Sequence, residues 1–565
     1  MIRDLRDDQP EELPDYDVLI VGTGPAGATL ANELRESGLR IGILESGKLR
    51  PSAHGDALRR VESEGIRIKD YSRERVLGGA STTWAGLSSP LDEIDFVTRP
   101  FVPHSGWPIA RRELDPLYEA AAARYRFPPL DFFRVGGSEP GGFGGLRTKG
   151  QLAPHWKTID EKVFLAASEP QNFGRELRAL FDSPAVDVWL DATLLALQGE
   201  TGGCRARVAV VRASSGREWR VRARVFVLAT GGLENARLLL NSREPWSNGL
   251  GNEADCVGRY LMNHPKNYAG VLHLTPPVES APYYFGCLYR GYAGYAGLRL
   301  DPATQRERRL LNSYVRLEPL FPWSDNPGVE SLVALVKQSF VLRLFKRQRA
   351  GELVELRDYS ETGDDSELQN ARRGTAGTLA LALAVVRHAP SVAQYAYFRV
   401  FRRAKPKVRR ARLRNFMEME PDPGNRVTLG DERDANGMRI ARVQHAASEL
   451  DRRSLLALHE VLAREIAESG AGRLETDLAT RDPWPIDQDA SHHMGTTRMG
   501  SDPRTSVVDA QLRVHQVENV YLAGASVFPT SGCANPTFTI VALSIRLARH
   551  LRDVLAAKSA TGARP

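Results

Sequence analysis

The chain has 565 residues, 42% of them hydrophobic and 26% charged, with a formal net charge of +7. That length exceeds what one hydrophobic core usually supports, so at least two domains are expected, and the composition excludes a disordered or fibrous chain. The longest apolar run, residues 375–386, falls short of the roughly 18 to 20 residues that span a bilayer.

Residues 1–17 are acidic and lack the apolar core of a secretory signal. Residues 1–13 read as a flexible tail. The four cysteines, Cys204, Cys256, Cys287 and Cys533, share no paired spacing. They fit free thiols in a reducing compartment rather than a disulfide framework or a zinc site, and a cytoplasmic location is expected.

The run YDVLIV (residues 16–21) is apolar, rich in β-branched residues and bounded by turn residues. It predicts a buried parallel strand. GTGPAG (22–27) follows, and then a helical stretch from Ala28. Gly22 suits the tight turn and Gly24 the approach of backbone amides to a pyrophosphate, with Pro25 and Ala26 opening the helix. Gly27 allows helix to pack closely on strand. The helix N-terminus then faces phosphate charge with free N–H groups. A second strand over residues 40–44 ends in Glu45, eighteen residues past Gly27, where a carboxylate can accept from ribose hydroxyls. Strand, glycines, helix, strand and acid in register predict a dinucleotide-binding fold.

Residues 221–228 (VRARVFVL) predict another strand of the same sheet, ending in the turn Ala229-Thr230-Gly231-Gly232 and a helix from Leu233. No second GxGxxG appears, so a discontinuous FAD domain fits better than an added nicotinamide domain. Between Lys266 and Trp484 the pattern changes. Alternating stretches at 313–317 and 426–429 predict strands of a second sheet, and residues 332–349 and 375–403 predict helices. Between Arg399 and Arg414 stand nine Lys or Arg and no acid. That run reads as a solvated basic face; an anionic substrate or a peripheral membrane contact through the basic 332–414 region are its sharper readings. Nucleic acid is not expected, because no nucleic-acid module accompanies it.

Toward the end, SHHMGTTRMG (491–500) precedes a strand at 519–523, the turn Gly524-Ala525-Ser526, and FPTSGCANPTF (528–538), which leads into a helix over about 537–551. Residues 556–565 read as a disordered tail. With LGGASTTWAG (77–86) and VGRYLMNHP (257–265), six motifs stand in one order along the chain. In this the sequence resembles the glucose-methanol-choline (GMC) oxidoreductase family, and within it the sugar-oxidising branch of pyranose oxidases and fructose-type dehydrogenases.

The resemblance implies an α/β fold: a Rossmann-like FAD-binding domain of GMC type with a second α+β substrate domain on a mostly antiparallel sheet. The expected FAD-binding parts are 14–95, 180–265 and 485–555, and the cap 96–179 and 266–484. It places a catalytic His at His492, in preference to the adjacent His493, and its partner at Asn535. A neutral imidazole can take a hydroxyl proton near neutral pH, while an amide can donate to the same oxygen. Gly78, Gly79, Ser81, Thr83, Trp84 and Ala85 are expected along the pyrophosphate and flavin edge. Thr230, Gly231, Gly524, Ala525, Asn535, Pro536 and Thr537 are expected to complete the FAD site. Thr83 stands where pyranose 2-oxidases carry the His that links FAD, which implies non-covalent FAD. Ala85 replaces the Thr that follows the Trp in those oxidases, which favours a dehydrogenase over an oxidase. The implied partners are a sugar-like alcohol and an electron acceptor, oxygen or a quinone. Two alternatives stay open: a lyase or decarboxylase on the same flavin fold, and a membrane-associated dehydrogenase acting on a lipid-linked alcohol.

Overall fold

The computed structural model describes residues 1–135, 142–152, 154–338, 375–401, 407–486 and 491–560. Its first sheet runs in the order Ile2–Asp4, Val186–Leu190, Ile41–Leu44, Tyr16–Val21, Glu218–Leu228, Ala206–Arg212, Thr193–Gly199, and Val520–Leu522 also pairs with Glu218–Leu228. The central strands are parallel. Val21 stands opposite Leu44 on one side and Leu228 on the other. Helices and loops cover both faces, which is why these strands read as unbroken aliphatic runs. Because the three strands end level, Gly22, Glu45 and Ala229 emerge together at the carboxyl edge, where open α/β sheets bind ligands. The helix Pro25–Leu34 begins with Pro25 in its first turn, where the missing N–H costs nothing. It packs against the C-terminal helix Thr537–Ala560.

The second sheet is antiparallel, in the order Cys287–Tyr289, Tyr292–Leu300, Tyr314–Leu320, Val408–Phe416, Val271–Val278, Gly472–Glu475. Ile159–Ala167 pairs with Tyr292–Leu300, and Lys266–Asn267 with Val408–Phe416. Strand alternation gives this sheet two faces. Asn415 points to the helix Glu449–Glu468, where its Oδ1 meets His459 Nε2 at 2.8 Å. Arg414 and Phe416 point the other way, toward the first sheet's carboxyl edge. A third sheet joins Arg426–Arg433, Arg439–His445 and Val61–Gly65.

Several expectations need correction. Residues 1–13 are not a loose tail. Ile2–Asp4 runs parallel to Val186–Leu190, and Leu5 is wholly buried. The strand expected at 426–429 belongs to the third sheet, with Val61–Gly65, and not to the second. The basic run 399–414 is neither a helix throughout nor a plain solvated face. From Val408 it is a strand whose Arg412 and Arg414 are largely buried and ion-paired with Glu318. The C-terminal helix extends to Ala560, past the expected start of a tail at 556. The helices expected over 332–349 and 375–403 correspond to Pro327–Gln338 and to Thr375–Arg387 with Ala389–Phe401. Residues 339–349, 402–403 and 561–565 of those readings lie outside the described residues.

The N-terminal strand should therefore hold the edge of the first sheet. Leu5→Ala is expected to cost roughly 2–5 kcal/mol in denaturant unfolding. A loose tail would show no change.

Candidate active site

Between the carboxyl edge of the first sheet and the inward face of the second lies a cavity with about 2210 Å³ of empty space, open to solvent. Gly22, Gly24, Pro25 and Ala26 line it from the first turn, Glu45 from the second strand, and Thr230 and Gly231 from the turn after Glu218–Leu228. Gly79, Ser81, Thr83, Trp84 and Ala85 add one wall; Gly524, Ala525, Asn535, Pro536, Thr537 and His492 add another. Two of the expected residues do not line it. Gly27 lies behind the turn, where a Cβ would stand 2.0 Å from the Gly22 carbonyl oxygen. That is the packing role its position in the motif implies. Gly78 (φ +96°) also sits behind the wall, donating its N–H to Thr23 Oγ1 at 3.0 Å.

The fit to a dinucleotide is written in the glycines. Apart from chain neighbours, no atom of the described residues lies within 4 Å of where a Cβ would stand on Gly24, Gly231 or Gly524. Gly231 (φ +93°) and Gly524 (φ +112°) also hold backbone that other residues rarely adopt. At all three, bare main chain faces open cavity, as close approach of a ligand requires. Glu45 closes the far end. Its carboxylate accepts from Thr23 N (3.1 Å), Thr23 Oγ1 (2.5 Å) and Gly47 N (2.8 Å). Burial pushes its pKa up, and those hydrogen bonds oppose the shift. Asn235 ties two walls together. Its Oδ1 accepts from Thr230, and its amide donates to Ala523 O (3.1 Å) and Ser526 Oγ (2.9 Å).

At the other end, two histidines from distant segments meet. His264 Nε2–H donates to the Gly532 carbonyl at 2.9 Å, because a carbonyl can only accept. Full burial lowers the His264 pKa to about 4, so the ring is neutral near pH 7 and its Nδ1 is an acceptor. His492 Nδ1 lies 2.9 Å from that atom and must carry the proton between them. The His492 ring lines the cavity. Asn263 Oδ1 accepts from the His492 backbone N–H at 2.8 Å and holds the loop in place. His493 is buried and packs its backbone on Gly232.

Sequence reasoning did not single out Asn263 or His264 as site residues. They lie in the VGRYLMNHP stretch, 228 residues before His492, and no local period marks them. It also missed Lys266, Tyr295, Arg316 and Phe416, which line the cavity from the second sheet. The one signal for that group was the basic run ending at Arg414.

A glycine turn on a parallel sheet and an imidazole on the cavity wall opposite a second sheet are the arrangement of an FAD-dependent oxidoreductase of two-sheet build. Residues 15–53 match the family model described as an FAD binding domain, and residues 421–544 match the one described as GMC oxidoreductase. These two matches cover an FAD-binding segment and a GMC oxidoreductase segment, and the chain is an FAD-dependent oxidoreductase acting on alcohols. It is 26% identical to 6'''-hydroxyparomomycin C oxidase of Streptomyces lividus, over 96% of this chain and 93% of that protein. It is 27% identical to the fructose dehydrogenase large subunit of Gluconobacter japonicus, over 58% of this chain and 47% of that protein. Among solved structures, an FAD-dependent oxidoreductase from Chaetomium thermophilum shares the fold with a TM-score of 0.54 at 15% identity, covering 96% of this chain and all of that one.

Two glycine substitutions should separate binding from folding. Gly24→Val adds atoms only to the empty cavity, so the protein should fold with unchanged far-UV circular dichroism yet purify without yellow colour. Gly27→Val drives a side chain into the Gly22 carbonyl and should reduce soluble, folded protein. FAD retention in the Gly24 variant would show that the turn does not approach the cofactor.

Proposed function

We propose that this chain oxidises a CH–OH group of a sugar, glycoside or sugar-derived substrate. The observation that carries the reading is the His264–His492 contact, which holds the His492 imidazole on the cavity wall beside Asn535. Bound FAD supplies the hydride acceptor. His492 Nε2 accepts the hydroxyl proton, and the Asn535 amide donates to the same oxygen without competing as a base. Turning the His492 ring would break its bond to His264, so the ring is oriented before substrate arrives. The sugar-like substrate is supported by the names of the Streptomyces and Gluconobacter relatives. Ala85, next to Trp84, supports a dehydrogenase that passes electrons to a quinone or similar acceptor, and Thr83 supports non-covalent FAD.

His492→Ala should leave the protein yellow and slow anaerobic flavin reduction by roughly 10²- to 10⁴-fold, the usual weight of a general base. His493→Ala should slow it far less, and the reverse ranking would move the base by one residue. Reduced enzyme should be reoxidised faster by quinones than by oxygen, and heat or acid should release the colour. Equal reoxidation rates would remove the dehydrogenase assignment.

A peripheral membrane contact has one supporting observation. The helix Thr375–Arg387 exposes Leu379, Leu383 and Val386, spaced four and three apart along one face. No helix among the described residues is long and apolar enough to cross a membrane. Vesicles of anionic lipid should retain the enzyme at low salt and lose it when Leu379 and Leu383 are both changed to Ser. Absence of flotation in the parent protein disposes of the contact.

A further inference from the structure

A second cavity, with about 630 Å³ of empty space, opens beside the end of the segment 491–500 and shares no lining residue with the first. Arg498 lines it next to His104, and the hydroxyl-bearing residues Thr98, Ser501 and Thr505 stand around it. Nothing in alcohol oxidation calls for this site.

Arg498 is only 5% exposed. Its Nη2 donates to the His104 carbonyl, while Nε and Nη1 are buried and make no hydrogen bond. The guanidinium carbon lies 4.7 Å from the centre of the Tyr260 ring, which fixes the plane of the group. Among the described residues, the other buried arginines, Arg99, Arg237, Arg299, Arg316 and Arg414, each pair with a carboxylate. Arg498 pairs with none. Burial pulls its pKa down to about 10, and the groups that oppose the shift are the Tyr260 phenol and the Cys256 thiol. The guanidinium therefore keeps its charge at neutral pH, and a desolvated charge is costly to leave unpaired. The acid on the cavity wall, Asp502, is already taken by Arg504 at 2.9 Å. A planar cation with unsatisfied donors, held on an aromatic face at a cavity, suits an oxyanion that accepts two hydrogen bonds at once.

We propose that this second cavity binds a small oxyanion, a phosphate or a carboxylate, whose oxygens accept from Arg498. The hydroxyls of Thr98, Ser501 and Thr505 are the neutral donors around it. The site is separate from the one that oxidises the alcohol and does not depend on which alcohol that is. The two sites share a frame, because Met262 and Met494 exchange backbone hydrogen bonds at 3.0 Å. The pair of segments that sets Arg498 on Tyr260 thus also sets His492 on Asn263. An anion on Arg498 steadies the loop that carries the imidazole.

The test titrates the holoenzyme, in Tris chloride, with inorganic phosphate and separately with acetate in a calorimeter. One saturable site per chain is expected, and the tighter ion assigns the class as phosphate or carboxylate. The melting temperature should rise with the concentration of that ion. Arg498→Gln should weaken binding roughly 10- to 100-fold, the weight of a hydrogen bond to a charged group, and Arg498→Lys should recover part of it. Ser501→Glu, at an exposed position on the rim, adds a carboxylate while leaving Arg498 in place, and should weaken binding as well. It decides the matter if Arg498→Gln does not fold. Arg316→Gln, in the flavin cavity, should leave the affinity unchanged. Absence of saturable binding by either ion overturns the proposal, and so does binding that survives both Arg498→Gln and Ser501→Glu. Loss of binding in Arg316→Gln would place the anion in the flavin cavity and overturn it too.

Discussion

The parallel register of three strands is the constraint on which the rest of the molecule depends. Tyr16–Val21, Ile41–Leu44 and Glu218–Leu228 end at one level, so a turn, a carboxylate and a second turn reach the same edge. The turn at Gly22 then packs so tightly on Ala229 that a Cβ there would stand 2.7 Å from the Ala229 oxygen. Helix and strand touch through Gly27 at still closer range. A one-residue slip would bury Glu45 among aliphatic side chains and turn the bare glycine faces away from the cavity.

The reactive end is built differently, by loops that a charged scaffold holds in place. Gly532 takes a positive φ of +53°, and a Cβ on it would stand 2.5 Å from Asp95 Oδ2. Asp95 is buried with Asp92 and Glu418, and burial together with those two carboxylates pushes its pKa up. Arg99, Lys162 and Arg299 supply the opposing charges, Arg99 on Glu418 and the other two on Asp92. The outcome of this arrangement is the position of one carbonyl. Gly532 O fixes the His264 tautomer, and His264 in turn fixes His492. A buried ionic network is weak grounds for stability but well suited to holding a single geometry.

The front of the chain was legible because its constraints are local. A buried parallel strand, a glycine turn and a helix start lie within about twenty residues, and each leaves a compositional mark. The motifs at 77–86, 229–232, 491–500 and 534–539 could be recognised in the same way, and the structure gathers them around one cavity. His264 and Arg316 left no such mark. A histidine before a proline and an arginine in an alternating strand are ordinary until a partner more than ninety residues away meets them. The basic run 399–414 misled for a related reason: composition reports charge, but not that its end is a strand that turns Arg412 and Arg414 inward.

By itself, then, the order of residues determined the dinucleotide fold and the cofactor class, and it marked the motif at 491–500 that the fold brings to the cavity. Those depend on contacts between neighbours in sequence, or on motifs whose spacing is recognisable. Tertiary structure alone decided which nitrogen of His492 meets His264, why the N-terminus is part of a sheet, and which cations line the cavity. Each of these depends on what a distant segment places within hydrogen-bonding or Coulombic range, and that distance is set by packing rather than by sequence separation.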